Sequence, residues 1–247
     1  VQAISLNANG LRASLRKGLG AWLDAENPDL VFLQELQWND LSAIESALEG
    51  WAVKASLADR PGYSGVAILS RSQWPECEVP SLPEGLIGEG RYAAINVNGQ
   101  IWLNAYLPSG SAGPARQELK LQALTHLGLW LERQTGTVVL GGDLNLAPEA
   151  IDVHDPLRLD GKPGFSPEER AWFDGIASKG WHDAFRLGHR GEREVYSWWS
   201  PRSGSRDRNK GWRIDHWITN APERVLDASY DGLARFSDHA AMRLRWS

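Results

Sequence analysis

The chain holds a single cysteine, Cys77, and a single methionine among its 247 residues. One thiol cannot close an intramolecular disulfide, so the core must hold the fold, and a reducing compartment, the cytoplasm, is expected. Long apolar runs are missing too: none approaches the roughly 20 residues that span a bilayer, and no membrane partner is expected. Val1-Gln2-Ala3-Ile4-Ser5-Leu6 already reads as a strand. No signal peptide is therefore expected, and the missing initiator methionine points to a trimmed or incomplete N-terminus. Basic charge is also short. Lys and Arg total 26 against 31 Asp and Glu, for a net charge of −5, and the sequence pI is near 5.7. No global positive field advertises a polyanion partner, although a local basic surface is all that phosphate contact requires. No linker, low-complexity tract or internal repeat divides the sequence, so one domain over residues 1–247 is expected.

What is present is apolar and aromatic material: 42% of the residues are hydrophobic and thirteen are tryptophan. Large aromatics carry much buried area, so many of these should be core. Ala3 to Leu6 alternates like a buried strand, and Leu15, Leu19, Trp22 and Leu23 predict a helix over Leu15 to Glu26, stopped by Asn27-Pro28. Leu30 to Leu33 is a continuous apolar run ending in Gln34-Glu35, a fully buried strand that delivers a carboxylate at its end. Leu41 to Leu48 predicts a helix, and Trp51–Leu57, Val66–Leu69, Ala93–Val97 and Ile101–Tyr106 predict strands. A long helix over Ala115 to Glu132 precedes the strand Thr137 to Leu140. Ser166-Pro167-Glu168-Glu169 is a helix start with a capping box. Strands near Ile214–Thr219 and Met242–Trp246 close the chain. The simplest assembly is a mixed α/β domain with two packed sheets and outer helices.

Several strand ends carry polar residues of one chemical type. Asn7 and Asn9 follow the first strand, Glu35 the second, and Tyr106 ends a middle one. Asp143 and Asn145 follow Val138-Val139-Leu140, Asp215 sits in Arg213-Ile214-Asp215-His216, and Asp238-His239 precede the last strand. Singly, each has a plain explanation: Asp143-Leu144-Asn145 as an Asx turn, Asn9-Gly10 as a turn dipeptide, Asp238-His239 as an ion-paired turn. Together they are the oxygen ligands, base and imidazole that a Mg²⁺-dependent phosphodiesterase requires, provided the turns converge on one edge.

In these segments the chain resembles the exonuclease III family of abasic-site endonucleases, within the deoxyribonuclease I-like fold. The matching pieces run in order: Ser5-Leu6-Asn7-Ala8-Asn9-Gly10-Leu11-Arg12, Leu33-Gln34-Glu35, Gly65-Val66-Ala67-Ile68, Gly90-Arg91, and Asn104-Ala105-Tyr106-Leu107-Pro108. They continue with Gly142-Asp143-Leu144-Asn145, Asp152-Val153-His154-Asp155-Pro156, Trp198-Trp199, Gly211-Trp212-Arg213-Ile214-Asp215 and Ser237-Asp238-His239. The resemblance implies a four-layered sandwich of two mixed β-sheets flanked by helices. It implies that Glu35 is the principal Mg²⁺ ligand, with Asn9 and Asp238 near the ion and Mn²⁺ as a substitute. Asp143 would deprotonate the attacking water beside Asn145, Asp215 would hold His239 against the scissile phosphate, and Tyr106 and Asn7 would contact that phosphate or steady the residues that do. Two departures stand out: Pro108-Ser109-Gly110 where Asn or Gln is usual after the proline, and Ala240-Ala241 where Ala-Pro is usual.

Arg202, Arg206, Arg208 and Lys210 crowd the segment between Trp198 and Trp212, and Arg213 follows directly. A solvated basic loop is the plain explanation, but cations beside flat apolar faces also suit a nucleic acid. By resemblance, Trp198, Trp212 and Ile214 line a pocket for a baseless deoxyribose. Arg208 is read as a phosphate contact, and Arg12, with Arg16 and Lys17, either holds flanking backbone or simply begins an exposed helix. The expected partner is double-stranded DNA with abasic sites or 3′ ends, cut by a monomer close to the nucleoid. Two other readings compete: a non-catalytic RNA-binding regulator of the catabolite repression control kind, and a phosphodiesterase for lipids or small phosphates. The complete acid set argues against the first, and the Trp198 to Asp215 stretch against the second.

Overall fold

A computed structural model describes residues 1–247, the side chain of Ser203 excepted. In chain order the elements are β1 (Gln2–Asn7), α1 (Leu11–Arg16), α2 (Leu19–Glu26), β2 (Leu30–Gln34), α3 (Leu41–Ala47), β3 (Ala52–Ser56) and β4 (Val66–Ser70). There follow β5 (Tyr92–Val97), β6 (Gln100–Tyr106), α4 (Pro114–Glu132), β7 (Val138–Asp143), α5 (Pro156–Leu159), α6 (Pro167–Ala177), β8 (His182–Asp183) and α7 (Ala184–Gly188). The chain ends with β9 (Trp198–Trp199), β10 (Gly211–Trp212), β11 (Asp215–Thr219), β12 (Val225–Asp231) and β13 (Ala241–Trp246).

One six-stranded sheet has the order β12-β13-β1-β2-β4-β3, and a five-stranded sheet has the order β5-β6-β7-β11-β8. Their facing surfaces share one core: Ala3, Phe32, Ile68 and Trp246 from the first pack on Ile95, Trp102, Val139 and Trp217 from the second. The outer face of the first sheet, with Ile4, Val31 and Leu33, is covered by Leu19, Leu23 and Ile44 of α2 and α3. The outer face of the second, with Leu103 and Leu140, is covered by Leu124 and Leu127 of α4 and Phe173 of α6. This is the four-layered sandwich expected from the sequence. It also explains the unbroken apolar run in β2: Phe32 faces the other sheet and Val31 and Leu33 face helices, so neither side meets water. Trp102, Trp217 and Trp246 are core, as their number suggested.

Two details differ from the sequence expectations, and one matches them. The helix read over Leu15 to Glu26 is two helices, α1 and α2, because Gly18 takes φ 97 between them, a backbone state glycine adopts without strain. The capping box at Ser166 and Glu169 is formed by both of its bonds. Strand β12 was not among the expected strands, although Leu226, Ala228 and Tyr230 alternate with Asp227, Ser229 and Asp231; it pairs along β13. As the outer strand it keeps polar residues that discourage further pairing. Among the described residues, no helix is long and apolar enough to cross a membrane.

Candidate active site

The sheet topology brings the polar strand ends to one edge. β1 and β2 run parallel, with Asn7 opposite Gln34, so both deliver their following residues to the same end. β6 and β7 are likewise parallel, with Tyr106 opposite Asp143. β11 runs antiparallel to β7 and begins at Asp215, directly opposite Asp143. Asp238 and His239 enter just before β13, which is antiparallel to β1. Behind this edge a buried amide bridge ties the two sheets: Gln34 donates to Asn104 Oδ1 at 2.7 Å, and Asn104 donates to the carbonyls of Leu33 and Ala67. The close approach of β7 to β6 depends on glycine, because a Cβ on Gly142 would sit 2.0 Å from the carbonyl oxygen of Ala105.

Asp143, 1% exposed, is the centre of the constellation. Its Oδ2 accepts from Asn7 Nδ2 at 2.8 Å and Asn145 Nδ2 at 3.1 Å, and its Oδ1 accepts from the Asn145 amide at 2.8 Å. His239 Nε2 lies 3.9 Å from Asp143 Oδ2, while His239 Nδ1 is bound to Asp215 Oδ2 at 2.9 Å. Burial and the nearby Asp215 charge push the Asp143 pKa up to about 7, against the pull of His239 and the two asparagines. Burial acts to neutralise His239, but the Asp215 charge and hydrogen bond override it, and its pKa is raised to about 10. Near neutrality the imidazole is therefore a cation, and Asp143 is poised to exchange a proton. Burial, reinforced by the Glu35 charge, raises the Tyr106 phenol well above its ordinary value, so it remains a donor.

Glu35, Asn9 and Asp238 form a second, more open group. Gln37 Nε2 bridges Glu35 Oε1 at 3.1 Å and Asn9 Oδ1 at 3.3 Å, and Asn9 Nδ2 donates to Asp238 Oδ1 at 2.9 Å. Burial would raise the Asp238 pKa, but the His239 charge and bonds from Trp198, Asn9 and Ser237 hold it below the usual range. Asn9 at φ 42, Glu35 at φ 55 and Asn145 at φ 54 all occupy the left-handed region without being glycine. Such strain persists where the surroundings over-determine a residue, as at ligand sites. The tightest set of potential metal ligands is a different one, Asp143, Asp215 and His239, with atoms within 4.8 Å of one another. Its polar atoms are largely committed to each other and to Asn7 and Asn145. The Glu35 group is an all-oxygen donor set that fits a hard divalent cation.

Asn7, Asn9, Glu35, Tyr106, Asp143, Asn145, Asp238 and His239, but not Asp215, line one cavity of about 340 Å³, which continues to Ser109, Gly164, Trp198, Trp212 and Ile214. Trp198 and Trp212 are cross-strand neighbours in the small β9–β10 ribbon, and Ile214 packs beneath them with Val153 and Phe165. Trp198 also donates its indole N–H to Asp238 Oδ2 at 3.0 Å, joining pocket wall to carboxylate group.

The basic run is only partly available to a ligand. Arg213 is fully buried, bound to Asp152 through Nε at 2.7 Å and to Asp183 at 2.6 Å. Arg206 lies over the Trp199 ring and donates to the carbonyls of Gly232, Ala234 and Ser237. Both are structural, which corrects the reading of the run as one phosphate-binding surface. Arg202, Arg208 and Lys210 remain exposed. Arg208 does not line the cavity, and Arg12 lies in an adjoining depression with Asn9, Arg16 and Gln37.

The profile of the Endonuclease/Exonuclease/phosphatase family matches residues 4–239. The chain belongs to the endonuclease/exonuclease/phosphatase family. An exodeoxyribonuclease of Bacillus subtilis (strain 168) is 34% identical over 250 residues, covering 99% of this chain and 98% of that protein. Among solved structures, an AP endonuclease from Archaeoglobus fulgidus is 28% identical with a TM-score of 0.86, covering 100% of this chain and 99% of that one. A 3′ phosphatase from Neisseria, bound to product DNA hairpin, is 27% identical with a TM-score of 0.84, again covering 100% and 99%.

Sequence reasoning missed how this family member props Tyr106. The Arg91 guanidinium lies 4.4 Å from the centre of the Tyr106 ring and donates to its carbonyl. Arg91 is held in turn by Glu89 and Tyr63, which Arg116 of α4 also grips. Gly90-Arg91 stood out as a motif, but the partners come from four separate segments and leave no joint spacing signal. Asp152 was likewise visible only as a motif residue, and it proves to be the buried partner of both Arg213 and Arg186.

Proposed function

We propose that this family member is a DNA-repair phosphodiesterase, dependent on Mg²⁺ with Mn²⁺ as a substitute, that cuts at abasic sites and 3′ ends. The observation that carries it is Asp143, held by Asn7 and Asn145 and facing His239, at the mouth of a pocket walled by two tryptophans. A pure binding module has no use for a buried carboxylate poised near neutrality, which favours hydrolysis over an RNA-binding regulator. Glu35, with Asn9 and Asp238, would hold the ion, whose chemistry is to polarise the phosphoryl group and stabilise the leaving oxygen. Asp143 takes the proton of the attacking water. Asn7 and Asn145 keep the carboxylate in place, and the His239 cation, oriented by Asp215, faces the negative charge that grows on the phosphate. The Tyr106 phenol donates to a phosphate oxygen. Exposed Arg12 and Arg208 hold flanking backbone, while Trp198, Trp212 and Ile214 accept a sugar without its base. The 1–247 chain acts as one catalytic domain and a monomer, in the cytoplasm with the nucleoid.

The test is incision of a duplex carrying one tetrahydrofuran abasic analogue, with Mg²⁺ and with EDTA. Cutting beside the lesion should vanish with EDTA; no cutting under either condition sinks the reading. Glu35→Gln should raise the Mg²⁺ needed for half-maximal rate by more than about 10-fold, since residues merely supporting a ligand are worth about 10–100-fold. An unchanged Mg²⁺ titration would remove Glu35 from the metal site.

Trp212→Ala should weaken the abasic reaction by about 1–3 kcal/mol, by analogy with base–aromatic stacking. Binding to undamaged duplex should hardly change, because phosphate contacts supply most of that affinity. Matched cleavage and binding assays with and without the lesion decide it. An equal loss on both substrates would reduce Trp212 to a packing residue.

A further inference from the structure

Lys120 of α4 and Glu169 of α6 are both 0% exposed and ion-paired behind the site. None of the chemistry above uses either one. Lys120 Nζ also donates to the Asn145 carbonyl at 2.5 Å. Glu169 gives Oε1 to the ammonium, and its Oε2 accepts from the amides of Gly164 at 2.8 Å and Ser166 at 2.9 Å. One end of the pair thus grips the loop carrying Asp143 and Asn145, and the other grips the loop that takes Pro163 and Gly164 into the pocket wall. The two loops meet: the Ala147 amide donates to the Gly164 carbonyl at 2.7 Å. A Cβ on Gly164 would lie 3.2 Å from both the Asn145 oxygen and the Trp212 ring.

Neither stability nor capping accounts for this arrangement. Apolar side chains of similar volume commonly hold a fold as well as a buried ion pair does. The capping box at the start of α6 needs Ser166 and Glu169 but no lysine. What needs a donor is Asn145, whose backbone sits at φ 54 with its amide and side chain already turned onto Asp143. A cation on its carbonyl fixes that turn, and the glutamate ties the cation to the wall loop.

We infer that Lys120 and Glu169 are a positioning pair that sets the distance between the Asp143 loop and the pocket wall. This rests on the proposed roles of Asp143 and of the tryptophan pocket. A substrate that occupies both places at once depends on that distance, whereas a small phosphodiester that reaches Asp143 without filling the pocket does not. Misplacement by about 1 Å can cost on the order of 10²-fold in rate.

Lys120→Met alone strands a buried carboxylate and can unfold the chain, so the informative variant is Lys120→Met with Glu169→Gln. It keeps side-chain volume, removes both charges, and leaves a side-chain oxygen for the Gly164 and Ser166 amides. Near-UV circular dichroism and Tm confirm folding. On the abasic duplex kcat should fall about 10–10²-fold with KM little changed, and on bis(p-nitrophenyl) phosphate the loss should be clearly smaller. Equal losses on both substrates, or full activity on the abasic duplex, overturn the inference. Failure of the wild-type protein itself to incise the duplex would instead sink the functional reading, and this inference with it.

Discussion

Asp143→Asn is expected to lower kcat for abasic-site incision by about 10²–10⁴-fold, the usual worth of a positioned general base. The Asn7 amide can still reach the new side-chain oxygen, so DNA binding should be nearly unchanged. The wild-type rate should also carry an acid limb. A base must be deprotonated to act, and burial together with the Asp215 charge raises Asp143 to about 7. Activity is therefore lost as pH falls through neutrality and retained above it. The variant should lose that limb along with the rate. Single-turnover rates across pH on preformed complexes provide the check. A variant with the wild-type limb intact would mean that another group takes the proton.

His239→Ala should be comparably damaging, and Asp215→Asn should approach it above the acid limb, because there the carboxylate acts through the imidazole, its charge on Asp143 only setting where that limb falls. Asp215 Oδ2 holds His239 Nδ1 at 2.9 Å and, with its charge, keeps the ring cationic. In a related arrangement, replacing the orienting aspartate by asparagine costs about 10⁴-fold in kcat by imposing the wrong tautomer. A double-mutant cycle separates this coupling from two independent effects. Once His239 is alanine, Asp215→Asn should add little. Losses that multiply in full would show that Asp215 acts by another route, for example on Asp143, which it faces directly across the β7–β11 ladder.

Several residues of the site were legible from local sequence because they follow an apolar run whose end is unmistakable. Leu30 to Leu33 could only be a strand buried on both faces, so Glu35 had to emerge at its end, and Val138 to Leu140 delivers Asp143 in the same way. Residue order within motifs also marked Asn145, Asp215, Asp238, His239 and the two tryptophans. Short or polar elements carried no such signal. Two-residue β9 and β10 are too short to show periodicity, and β12 alternates but with Asp227, Ser229 and Asp231 on its polar side it is no apolar run.

Charge was the property that sequence could not assign. Arg208 and Arg213 look alike in the Trp198 to Asp215 segment, yet one is exposed and the other is sealed between Asp152 and Asp183. Lys120 sits in what reads as an ordinary helix face, and Glu169 reads as a cap; their pairing spans 49 positions of the chain. The chain by itself determined which elements form and which chemical groups stand at their ends, because burial patterns and turn chemistry are local. Tertiary structure alone decided which of those groups meet, which charges are neutralised and which pKa values shift. Those depend on distances and burial created only when distant segments pack together, and no spacing along the chain encodes them.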